Sequence, residues 1–325
     1  MQRRFMLRAA GATVATLAMP TLHAQQWPFG PVRIIVGFPP GGGTDALARV
    51  LSVRLTSMWG QQVVVENKAG VAGVLAAEYV ATQPSDGSTL LMAHINSHAL
   101  APSLQPKLRY DLDRDFVSIV LVGVTPNLLI ANPNAQAKTV KDIVALCKAN
   151  PGTVSFGSAG SGSAQHLTLE MFKLRAKVDA LHIPYKGSGP LLTDLIGGQI
   201  QYSFDTMTAA TPHVKNGRVI AIAQTRTKRA KGHPTVPTMQ EEGYPGFEAT
   251  TWYGLVGPGK LPHTIAQKVN ADVNAVLAMA DVQERMDTYG AEDGGGSAEK
   301  FDAFMHEERL KWAKVVKEAG VKMES

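Results

Sequence analysis

The chain is 325 residues long, 45% hydrophobic, 18% charged and 6% aromatic. Its net charge of +5 falls to about +2 once Arg3, Arg4 and Arg8 leave with an N-terminal export segment, too little to hold nucleic acid, and no Lys/Arg cluster is interleaved with aromatics. The single cysteine, Cys147, excludes an internal disulfide and a cysteine zinc cluster; in the helical pattern 144–147 it reads as a small buried hydrophobe.

The first eight residues carry three arginines and no acid. An uncharged run of Ala, Gly, Thr, Val and Leu follows over 9–18, then Pro20 and the step Leu22-His23-Ala24. This is the order of a secretory signal, expected to be cleaved after Ala24. Gln2-Arg3-Arg4-Phe5-Met6-Leu7-Arg8 also has a twin-arginine pattern, which leaves the export route open between two machineries. The apolar run is shorter than the roughly 20 residues of a membrane-spanning helix.

Beyond Trp27-Pro28, strand and helix alternate. Residues 32–38 (VRIIVGF) are β-branched and apolar and predict a buried strand. Helical spacing follows over 44–58, a strand over 62–66, a helix over 73–82 and a strand over 89–93. The plan restarts with a strand at 153–157, a helix at 164–174, a strand at 181–184 and a helix at 190–196 stopped by Gly197-Gly198. Further strands fall at 200–205 and 219–224, and long amphipathic helices at 262–279 and 298–319. Such alternation implies an α/β fold with mostly parallel sheets flanked by helices, here in two lobes. The expected division is 25–124 with 249–325 for one lobe and 125–248 for the other, joined by extended hinge strands near Val124-Thr125-Pro126 and 248–252.

Each half opens with a strand that runs through a glycine-rich loop into a helix. In the first half the residues are Phe38-Pro39-Pro40-Gly41-Gly42-Gly43-Thr44-Asp45. In the second they are Phe156-Gly157-Ser158-Ala159-Gly160-Ser161-Gly162-Ser163, leading to Ala164. Such a turn lets a ligand approach the backbone and exposes helix N-terminal N–H groups that favour an anion. Two of them facing across a cleft make a carboxylate clamp without Lys or Arg. Asp45 either offsets the dipole of its helix or accepts a bond from the ligand, and His166 either caps and packs or touches it. Lys186, in Tyr185-Lys186-Gly187, is either a counter-charge or a rim residue. Asp205 ends a strand on the same functional edge.

Other chemistries fail in detail. Ser163 stands where a phosphate-binding loop needs Lys, no G-x-S-x-G surrounds Ser158, Ser161, Ser163 or Ser188, and Phe116 replaces the glycine of a calcium loop at Asp111, Asp113 and Asp115. His94 and His98 lack a nearby third zinc ligand and read as a polar cleft rim or ordinary loop. No metal or cofactor is expected.

The motifs VGFPPGGGTD (36–45), VENKAG (65–70), FGS (156–158) through His166, PYKG (184–187), DLIGG (194–198), PTM (237–239), EGYPG (242–246) and WYG (252–254) span the chain beyond the export segment. Together they resemble the Bug family of periplasmic solute-binding receptors, the extracytoplasmic component of tripartite tricarboxylate transporters. The resemblance implies a type II periplasmic binding-protein fold and a ligand carboxylate held by loop amides with ordered water. It puts the pincer on Phe38 and 40–45, and on 158–164 with His166, while Ala72-Gly73 and 185–187 line the cavity. It implies a small carboxylate as ligand, and membrane transporter subunits or a sensor protein as partner. A monomer without catalytic activity is expected; the competing reading is a two-lobed hydrolase, for which neither elbow nor triad spacing is present.

Overall fold

The computed structural model describes residues 27–105 and 107–319, so the expected export segment, 1–24, lies outside the described residues. In the first lobe, β1 (Val32–Val36) pairs in parallel with β2 (Val63–Asn67) on one side and β3 (Thr89–His94) on the other. Helix α1 (Gly43–Trp59) connects β1 to β2, and α2 (Val74–Ala81) leads to β3. Leu47, Leu51 and Leu55 recur every four residues on α1 and are fully buried, each contributing about 1.5–3 kcal/mol. The helix stops at Gly60, whose left-handed backbone sends its N–H back to the Thr56 carbonyl. A π-helical turn (Asn96–Leu100) and the short α3 (Ala101–Leu104) follow β3.

Two long strands then join the lobes. β4 (Phe116–Ala131) runs antiparallel to β9 (Thr250–Pro258) from Phe116 to Pro126, and from Asn127 onward it pairs with β7 (Tyr202–Thr206). β9 also pairs antiparallel with β3. The second lobe repeats the strand–helix plan: α4 (Val140–Ala149), β5 (Ser155–Ser158), α5 (Ala164–Ala176), β6 (Leu181–Pro184), α6 (Ser188–Ile196), β7, α7 (Met207–Lys215) and β8 (Ile220–Gln224). β5 is parallel to β6 and β7, while β8 lies against β4. After β9 the chain finishes on the first lobe with α8 (His263–Leu277), α9 (Ala280–Thr288) and α10 (Ala298–Ala319). No helix of the described residues is long and apolar enough to cross a membrane.

The parallel units follow the sequence reading closely, whereas the connecting strands and the polar helices α7 and α9 go beyond it. Pro126 argues against a continuous strand because it lacks an N–H. It sits at the last β4–β9 pair, where β4 changes partner. Pro212 inside α7 hides that helix in the same way. The WYG motif is a packing device. Trp252 is fully buried and edge-on to Phe301 of α10, and the Phe301 ring lies where a Gly254 side chain would stand.

Candidate ligand cleft between the lobes

Loop one climbs from β1 into α1. Gly42 caps the helix without a side chain, so no cap occupies the N–H groups of its first turn, and Gly41 takes a positive φ of 85°. Asp45 is buried and committed to the loop itself. Its carboxylate accepts from Gly41 N (3.1 Å), from Arg49 Nε and Nη2 (both 2.9 Å) and from Asn67 Nδ2 (3.0 Å). Burial alone would raise its pKa, but the bonds from Arg49, Asn67 and Gly41 together hold it below the usual carboxylate range. Asn67 Nδ2 also donates to the Phe38 carbonyl, fixing the start of the loop. The Phe38 ring rests on Gly73, next to the left-handed Ala72.

Loop two climbs from β5 into α5. Ser163 caps α5 by accepting the His166 N–H (3.2 Å), and the Gly162 N–H donates to His166 Nδ1 (3.0 Å). Ser158 Oγ meets the Gly160 N–H and lies 2.7 Å from His182 Nε2, and the His166 and His182 rings stack at 3.8 Å. Burial, then the neighbouring His166, push His182 down to about 4. The Ser158–His182 distance would suit a nucleophile and its base, but Ser158 is fully buried and neither residue lines the cleft, so the pair braces the loop. Gly160 and Gly162 take positive φ, and Ser161 is half-buried at the bend between them.

The two loops meet in a closed cleft. Ala164 N of lobe two donates to Asn96 Oδ1 of lobe one (3.0 Å). A side chain at Gly187 would strike Pro39, one at Gly189 the Pro40 carbonyl, and one at Gly43 the Tyr253 hydroxyl and Thr206. Between them remains a cavity of ≈ 10 Å³, room for about one water. Gly42, Gly43 and Thr44 face Ala159 and Gln165 across it, and Ser188 and Thr206 close its lobe-two side. Phe38, His94 and Tyr253 form an aromatic wall, stacked edge to face with ring centroids 4.7 and 5.3 Å apart. Neither Lys nor Arg lines it. A larger groove of ≈ 900 Å³ lies between α8 and α10 on the outside of lobe one, away from both loops.

Gln165, Ser188, Thr206 and Tyr253 are cleft residues that the sequence reading did not place there, while His94, read as cleft rim or ordinary loop, lines the cleft. Tyr253 lies within the WYG motif, and Gln165 and Ser188 directly adjoin His166 and Gly187, so motif proximity was the available signal. Burial, reinforced by the adjacent His98 ring, pushes His94 down to about 3, so it is neutral. Its Nδ1 accepts the Asn96 N–H (3.1 Å), which leaves the ring proton on Nε2. Asp205 is fully buried on β7; burial raises it to about 6, partly offset by bonds from Ser188, Thr206 and Gln165. Tyr185 gives its hydroxyl to Asp194 (2.9 Å) and Lys186 is exposed, so neither side chain lines the cavity.

Residues 47–321 match the family described as "Tripartite tricarboxylate transporter family receptor" (TctC). Protein BugT of Bordetella pertussis is 36% identical over 321 residues, 98% of each chain. An R. palustris protein solved with adipate aligns at TM-score 0.89 and 33% identity over 92% of this chain and 100% of its own. MatC of Rhodopseudomonas palustris, solved with bound malate, aligns at TM-score 0.82 and 32% identity over 89% of this chain and 100% of its own. With a two-lobed fold, paired glycine-rich loops and a match along nearly all of its length, the chain belongs to the tripartite tricarboxylate transporter receptor family, the Bug proteins.

Proposed function

We propose that the protein is a periplasmic solute-binding receptor that captures a small carboxylate between its lobes and presents it to the membrane subunits of a tripartite tricarboxylate-type transporter. One observation carries this reading: the N-termini of α1 and α5 converge with their glycine-rich loops on a single cleft that no Lys or Arg lines. An anion there is held by backbone N–H groups and helix dipoles. The proposed contacts are Phe38 and residues 40–45 from lobe one, and 158–164 with His166 from lobe two, with 72–73, 185–187 and Asp205 around them. Within this set, Asp45, Ser158 and His166 act by shaping the loops.

The lobes are taken as 25–124 with 249–325, and 125–248, turning about the β4–β9 ribbon. Docking in the open form would bridge both loops; a ligand that touches both lobes binds the closed form better and so drives closure. Bound adipate and malate in two relatives support a carboxylate ligand here. Export, with cleavage after Ala24, accords with the periplasmic setting of the family.

A thermal-shift screen of residues 25–325 against carboxylates and their amide analogues tests the reading. A ligand at a hundred times its Kd adds about 2.7 kcal/mol and a clear rise in Tm. A carboxylate that shifts the melt, is recovered unchanged and has an inert amide supports the receptor. Consumption of the ligand would favour an enzyme, and silence across a broad panel would remove the carboxylate clamp.

A further inference from the structure

Polar atoms buried without partners mark what a ligand must supply. Gln165, on the first turn of α5, is 2% exposed and lines the cleft. Its Nε2 donates to Asp205 Oδ1 (3.4 Å), whereas its Oε1 is buried with no hydrogen-bond partner. The orientation of this amide follows from chemistry. Asp205 Oδ1 also accepts the Ser188 hydroxyl (2.5 Å) and the Thr206 N–H (2.8 Å), so it acts as an acceptor to all three neighbours. A proton taken up by Asp205 would sit on Oδ2, the oxygen without a partner, and leave Oδ1 unchanged as an acceptor. In either protonation state Gln165 must turn its NH₂ to Asp205 and keep its carbonyl oxygen as an unmet acceptor. Ser188, donating its proton to Asp205, likewise offers only lone pairs to the cavity it lines.

The cleft therefore combines donors for a carboxylate, the open first turn of α1, with acceptors on the lobe-two side that a carboxylate oxygen cannot satisfy. Resting on the carboxylate-receptor reading above, we infer that Gln165 is a specificity-determining residue, held in place by Asp205, which selects carboxylates carrying a hydroxyl or ammonium donor over unsubstituted ones. A ligand lacking the donor closes the lobes over an unpaired amide oxygen, whereas one bearing it completes the bond, a difference of about tenfold in affinity.

Titration calorimetry with succinate, glutarate and adipate, each against its 2-hydroxy and 2-amino analogue, tests this on the unaltered chain and on Gln165→Leu. The expected result is a preference of about tenfold for a donor-bearing member of at least one pair. In Gln165→Leu that preference should fall to within threefold, because the unpaired amide oxygen that penalises the unsubstituted acid is gone. Equal binding within every pair, or a preference that survives in a folded Gln165→Leu, overturns the inference while the receptor reading stands. Should Gln165→Leu fail to fold, the ligand pairs on the unaltered chain still decide whether a donor is selected, and Gln165→Met repeats the test of the residue. If no acid of any kind binds, the receptor reading falls and the inference falls with it.

Discussion

Gly189 offers a way to weaken closure without weakening either lobe. It lies in the first turn of α6 with ordinary helical geometry, so alanine is compatible there and favours the helix by up to about 1 kcal/mol. In the closed cleft, however, the new Cβ would stand 2.9 Å from the Pro40 carbonyl oxygen of the opposite lobe, where ordinary contact begins near 3.4 Å. The overlap is with backbone rather than with a flexible side-chain tip. Relieving it costs about 1–3 kcal/mol, charged to the closed state alone. Affinity for whichever acid the thermal screen identifies should fall roughly five- to hundredfold in Gly189→Ala, while the unliganded Tm holds or rises slightly. Calorimetry for binding and a melt without ligand measure the two separately. Affinity within twofold of the parent would refute the reasoning and mean that the bound form closes less tightly than the structure described.

Three further outcomes follow from the packing and the charges. Gly254→Ala places a methyl group 2.1 Å from Phe301 Cζ, and should lower urea stability by about 1–3 kcal/mol or more, with partial recovery in the double variant Gly254→Ala/Phe301→Leu. Between pH 7.5 and 5, stability should fall as the pH drops. His94 and His98, each pushed by burial to about 3, and His182, at about 4, stay neutral in the fold but take up protons near 6.5 when unfolded. Asp205, raised to about 6, has the opposite sign: its contribution is present at acid pH and lost as the pH rises through 6, so Asp205→Asn should make the acid loss steeper. A urea midpoint that does not change over this range would contradict the neutral assignments. Arg226 of lobe two reaches Glu292 (2.8 Å) and the exposed Asp293 (2.6 Å) near the ribbon; Arg226→Ala should cost about 1–2 kcal/mol in urea, less in 1 M salt.

How much was legible depended on whether the signal was periodic or positional. The strand 32–36 stands out as a continuous buried apolar run, and the helices at 43–59 and 298–319 because apolar residues repeat with the helical period that buries them. Both glycine-rich loops were readable because each turn needs backbone freedom at fixed points, such as Gly41 and Gly162. The sequence points to hinge strands near 124–126 and 248–252, but Pro126 masks the length of β4, which runs through it because the strand changes partner there. The acceptor face of the cleft was hidden for another reason. Gln165 looks like an ordinary helix residue until Asp205, forty positions away, fixes which end of its amide looks inward. Asp45 shows the reverse, a conspicuous acid beside a candidate site whose charge is turned to Arg49 and Asn67.

The β4–β9 ribbon described above has a consequence for how such a receptor is tuned. Two strands bonded to each other from Phe116 to Pro126 can flex as a pair without giving up their mutual hydrogen bonds. Register shifts between Ser118 and Val120 and between Leu121 and Gly123 bend and twist the pair on the lobe-one side. If the lobes turn about this ribbon, as proposed, little is broken in the pivot, and the balance between open and shut is then set at the mouth, by the few glycine, proline and amide contacts that meet there. Durability and responsiveness thus reside in different residues: the lobe interiors keep the molecule intact, and single changes at the mouth retune its grip without disturbing them.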